Sequence, residues 1–61
     1  MKLETYLKFN GIKVKDAAKQ LGCTPAWMYE IVSGRERPGV DLGKKIVEWS
    51  GGDVRFEDLW K

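Results

Sequence analysis

The chain has no histidine and a single cysteine, Cys23. Without histidine a zinc site has too few ligands, and one cysteine cannot close an internal disulfide. Nothing near Cys23 in the sequence can activate it as a nucleophile, so a buried, inert thiol is expected. Glu57 and Asp58 are adjacent and cannot face one another as a catalytic pair, which leaves them as surface acids and gives an enzyme little support. No metal or other cofactor is expected. No apolar run approaches the ~20 residues of a membrane span, and Met1-Lys2-Leu3-Glu4 opens no signal peptide. The expected compartment is the cytoplasm. Internal repeats, low-complexity tracts and linkers are also lacking, so the 61 residues form one domain, 1–61. A domain of this size buries only about 60% of its unfolded surface. Three tryptophans, two tyrosines and two phenylalanines compensate, since each buried aromatic removes on the order of 150–250 Å² from water.

What is present centres on VKDAAKQLGCTPAWMYEIVSGRERP, Val14 to Pro38. Val14, Ala17, Ala18 and Leu21 recur at the three-and-four spacing of one helical face. Gly22 then stands where a chain leaving a helix takes a positive φ. Thr24 offers an oxygen to cap the next helix, and Pro25 suits its first turn, where the missing amide has no partner. The second helix turns Met28, Ile31 and Val32 inward and stops at Ser33-Gly34. Ala18 is small where the two helices must touch. This is a helix-turn-helix arrangement.

Elsewhere, Leu3, Tyr6 and Leu7 predict a first helix ending at Asn10-Gly11, with Ile12 covering the core. Leu42, Ile46, Val47 and Trp49 predict a helix from Asp41 to Ser50, with Asp41 at or near its cap, ended by Gly51-Gly52. Val54, Phe56, Leu59 and Trp60 form a short helix or an extended tail. The fold class is all-α, a compact bundle of four to five short helices.

AAKQLGCT, Met28, Ile31 and SGRERP together resemble the DNA-binding domains of the Cro and phage-repressor superfamily, with its lambda-repressor-like fold. Past Pro38, IVEWSGGDVRFEDL is similar to the end of the small helical Cro-like regulators of phages and prophages, the YdaS and P22 Cro type. That family often has glutamine where this chain has Val14 and Pro25, so contacts made by those glutamines do not carry over. The resemblance implies a sequence-specific regulator of transcription that binds double-stranded DNA, a repressor acting by operator occlusion in a bacterial host cell.

In that frame the outer side of the second helix, Ala26, Trp27, Tyr29 and Glu30, reads bases. Ala26 meets a thymine methyl, Glu30 accepts from cytosine or only orients an arginine, and Tyr29 reaches a base edge or a phosphate. Trp27 has two readings, a contact on this face or a side chain folded onto the core. Lys13, Lys15, Thr24, Ser33, Arg35 and Arg37 are the backbone contacts, bracketing the motif on both sides. Lys44 and Lys45 read as solvated surface. Net charge is only +2, so the placement of charge has to carry the argument. The surplus apolar residues Val54, Phe56 and Trp60 are the expected dimer surface, sized for a weak homodimer strengthened on DNA. A rival reading makes Trp27 and Tyr29 the anchors of a protein-interaction module.

Overall fold

The computed structural model describes residues 1–60. They form five helices: α1 (Leu3–Phe9), α2 (Val14–Leu21), α3 (Pro25–Ser33), α4 (Val40–Trp49) and α5 (Phe56–Leu59). There is no strand among the described residues. None of the helices among them is long and apolar enough to cross a membrane.

How the helices end determines how they pack. At the end of α2, Gly22 adopts φ 78°, a conformation that costs a side chain but not glycine. This lets the Gly22 amide donate to the Lys19 carbonyl and the Cys23 amide donate to the Ala18 carbonyl at 3.0 Å. The pair of bonds satisfies carbonyls that would otherwise be orphaned at the helix end. The same two-bond closure recurs at Gly11 after α1, Gly34 after α3 and Gly51 after α4. The closures after α1 and α2 bring together side chains five positions apart, Leu7 with Ile12 and Ala18 with Cys23. Leu7 and Ala18 are buried, and Ile12 and Cys23 pack against the core as partly buried residues.

The next helix starts as expected. Thr24 Oγ1 accepts the Trp27 amide at 3.2 Å, and Pro25 occupies the first turn of α3. α2 and α3 make the most extensive contact of any helix pair. Ala17, Ala18 and Met28 are fully buried, and alanine at positions 17 and 18 is small enough for the two backbones to approach. Leu3 and Leu7 of α1, Leu21, Ile31, Ile46 of α4, Val54 and Leu59 complete the core.

α4 differs slightly from its expected bounds. It starts one residue earlier, at Val40, with Gly39 at the cap position. Asp41 therefore lies inside the first turn, where its charge still favours the amide end of the helix. The three helices α1, α2 and α4 are tied through Trp49. Its Nε1 donates to Gln20 Oε1 at 2.8 Å, and its ring meets Tyr6 edge-on at 5.4 Å.

The segment after Gly51-Gly52 is resolved in favour of a helix. Ser50, the one buried polar residue among those described, accepts the Val54 amide at 3.0 Å and donates to the Val47 carbonyl at 2.9 Å. These two hydrogen bonds close the glycine turn, and Val54 lies in the core at 0% exposure. The dimer-surface assignment of Val54 is therefore corrected: the side chain fills the interior. α5 follows, with the Asp58 carboxylate accepting the Arg55 amide at 3.1 Å. Phe56 lies on α4 over Gly43, where an added Cβ would come within 2.5 Å of the Phe56 ring.

That contact yields a coupled prediction. Alanine is favoured over glycine inside a helix by about 1 kcal/mol, yet at position 43 it displaces the Phe56 ring. Gly43→Ala should stabilise a Phe56→Ala variant by about that amount and fail to stabilise the parent chain, as read from denaturant melts of the four proteins in the cycle. Equal effects in both backgrounds would mean that Phe56 does not sit on Gly43.

Candidate functional site

α3 carries apolar residues on two sides, and the fold uses only one of them. Met28 and Ile31 are buried, while Ala26, Trp27 and Tyr29 are exposed, Trp27 by 37% and Tyr29 by 56%. Trp27 is not among the residues packed on the core. The ring is partly covered by the protein and partly open to solvent, and the open part is available to the outward reading. The first turn of α3 contains no acidic residue, so nothing in its own sequence neutralises the partial positive charge of that helix end.

The bases expected to flank this face differ in their surroundings. Lys13 and Lys15 are exposed at the start of α2 and form no ion pair among the described residues. Cations at a helix N-terminus oppose the dipole, so α2 gains nothing from them locally. Arg37 is likewise exposed and without an ion pair among those residues. Its neighbour Pro38 is fully buried, which anchors the loop that presents it.

Arg35 is held differently. Its Nε donates to Glu30 Oε2 at 2.8 Å and its Nη2 to Glu30 Oε1 at 3.2 Å, a two-pronged pair across five positions. The closure at Gly34 makes this possible, because the Arg35 amide also donates to the Glu30 carbonyl at 3.1 Å. Of the two roles expected for Glu30, accepting from cytosine or orienting an arginine, the free protein displays the second. The hydrogen bonds from Arg35, then its charge, hold the Glu30 carboxyl below the usual carboxylate range, and the same pair pushes Arg35 up.

Two of the proposed backbone contacts are already engaged within the chain. Thr24 Oγ1 accepts from Trp27 as the α3 cap and retains its own proton for an outside acceptor. Ser33 donates its hydroxyl proton to the Glu30 carbonyl at 3.0 Å. In this conformation that proton is not offered to a phosphate. Burial pushes the half-buried Cys23 thiol up, as expected for an inert side chain packed at a corner.

A second apolar surface lies on the α4 and α5 side. Phe56 and Trp60 are 40% and 38% exposed, with ring centroids 5.7 Å apart. Val40 is exposed three residues before Gly43, the seat of Phe56, and so shares that face. The sequence reading omitted Val40 because it placed the helix start one residue later. It also left unassigned Phe9, the most exposed of the large apolar side chains; its offset of two from Leu7 removes it from the inward face of α1.

No protein-family model, curated protein or solved structure matches the chain.

The Glu30–Arg35 pair predicts a titration. A carboxyl whose folded pKa is depressed favours the folded state above its unfolded value, and the contribution is lost as pH falls through the folded pKa. Followed by carbon NMR, the Glu30 carboxyl should titrate below the ordinary glutamate value of about 4.3 and return to it in Arg35→Ala. An ordinary midpoint in the parent chain would mean that the pair does not persist in solution.

Proposed function

We propose that this protein is a sequence-specific transcriptional regulator that binds double-stranded DNA, with α2 and α3 acting as a helix-turn-helix and α3 lying in the major groove. One observation carries the reading: α3 exposes Trp27 and Tyr29 on the face that the core does not use, and along the chain this helix is bracketed by exposed bases at the start of α2 and in the loop after α3. In the groove, Ala26, Trp27 and Tyr29 contact base edges, and Lys13, Lys15, Thr24 and Arg37 hold the phosphate walls. Lys13 and Lys15 bring two cations to the start of α2, whose first turn also carries Asp16, so the phosphate contact rests on the lysine side chains. The resemblance to small Cro-like repressors of phages and prophages supports repression by operator occlusion in the cytoplasm of a bacterial host.

Selection from a random duplex pool tests the reading directly. Recovery of a preferred site is expected, with affinity falling steeply as salt rises. Arg37→Ala should weaken all duplexes about equally and lower the salt slope by about 0.9. Tyr29→Ala should instead alter discrimination at particular base pairs by roughly 1–3 kcal/mol. Even recovery of all sequences would remove the specific-regulator reading. Binding that is insensitive to salt and anchored on Trp27 and Tyr29 would point to a protein partner instead.

Regulators of this kind commonly pair over half-sites about 34 Å apart. Phe56 and Trp60, joined by Val40 and without Val54, are the proposed pairing surface. So few side chains cover less than the roughly 800 Å² per partner of a standard stable interface, so the chain is expected to be monomeric when dilute and to pair on a palindromic site. Sedimentation over a concentration series should show weak association that Trp60→Ala abolishes. A tight dimer indifferent to that change would place the interface elsewhere.

A further inference from the structure

We infer that Glu30 and Arg35 form one base-reading unit, in which Glu30 positions the guanidinium and Arg35 recognises a guanine. The inference rests on the DNA-binding reading and moves Arg35 from the phosphate wall to a base edge.

The geometry of the pair is the starting point. Glu30 takes the side edge of the guanidinium, Nε at 2.8 Å and Nη2 at 3.2 Å. Five N–H groups are available on arginine, so the end edge formed by Nη1 and the second hydrogen of Nη2 remains open. That edge presents two parallel donors, the pattern that fits the O6 and N7 acceptors of guanine in the major groove. The Arg35 side chain is 66% exposed even while paired, so this edge can be reached from outside.

The pairing also restrains a long side chain before any ligand arrives. Both ends are fixed: the closure at Gly34 binds the Arg35 and Glu36 amides to the Glu30 carbonyl, each at 3.1 Å. Rotamer freedom lost in advance is not lost again on binding. At the equivalent positions after α1 and α2, the pairs Leu7 with Ile12 and Ala18 with Cys23 serve the core. Only after α3 does the same closure assemble an exposed ion pair, and pairs of that kind add little to stability. Its location beside Tyr29 and Ala26 gives it another use.

Charge decides between base and phosphate. A guanidinium already paired with a carboxylate is close to neutral as a unit, and the carboxylate repels an approaching phosphate. The guanine edge carries acceptors without net charge and suffers no such repulsion. Arg37, which has no ion pair among the described residues, is the better phosphate ligand.

The test begins with the site selected by the full chain. Binding of the parent, Arg35→Lys, Arg35→Ala and Glu30→Gln is then measured on that site and on each single base-pair variant, at several salt concentrations. At one G·C pair, all three variants should lose discrimination by roughly ten- to a hundredfold, with the melting temperature and salt slope little changed. Replacing that guanine with 7-deazaguanine, which lacks the N7 acceptor, should weaken the parent severalfold and leave Arg35→Ala indifferent. Arg35→Ala weakening every duplex alike and lowering the salt slope would make Arg35 a phosphate contact and overturn the inference alone. So would Glu30→Gln leaving that discrimination intact or altering a different base pair. If the parent selects no site, the DNA-binding reading falls and the inference falls with it.

Discussion

The hydrogen bond from the Cys23 amide to the Ala18 carbonyl, made possible by the positive φ of Gly22, sets the direction in which α3 leaves α2. With that direction fixed, Ala17 and Ala18 face Met28 with no exposed surface, and the remaining helices pack around this pair. A side chain at position 22 would incur a backbone strain of order 1 kcal/mol or more. The same closure after α1, α3 and α4 means that each long helix hands the chain on in a defined direction. In a domain this small, with few long-range contacts to correct an error, local rules of this kind have an unusually large share in specifying the fold.

This explains which parts of the structure could be read from the sequence. The ends of α2 and α3, the Thr24 cap and the Pro25 start follow from residues adjacent in the chain, and their physics is local. The inward faces follow from periodicity. What escaped depends on side-chain partners that neither periodicity nor end signals announce. Val54 looks like one of several surplus apolar residues until the Ser50 hydroxyl is seen to take its amide and turn it inward. Gln20 gives no sign in sequence that Trp49, 29 positions away, will donate to it. Gly43 looks like a weak point in a helix, and only the Phe56 ring above it gives the absent Cβ a reason.

The three tryptophans show the same division. Trp49 links three elements through its ring and its N–H, as a buried-edge tryptophan usually must when its polar end needs a partner. Trp60 shares its exposed surface with Phe56. Trp27 has neither arrangement: it stands on the outer side of α3, outside the core cluster. Composition treats the three as equivalent, and helical phase alone left Trp27 undecided, because a large side chain one step off the inward face can fold either way.

α2 and α3 differ in what their outer faces offer. α2 turns Lys15, Asp16 and Lys19 to solvent, polar side chains that water can satisfy, and its Gln20 already accepts from Trp49. α3 turns out Trp27 and Tyr29, whose burial against a partner would remove far more apolar area. With a net charge of +2, the chain exerts weak long-range attraction on a polyanion, and Arg35 is largely neutralised by Glu30. In the proposed complex, selectivity must therefore come from short-range contacts at the α3 surface, where shape, apolar area and a prepositioned pair of donors act over a few ångströms. Under that constraint a guanidinium fixed in place is worth more than a mobile charge, because electrostatic attraction to the phosphates is the same for every sequence and cannot choose among them.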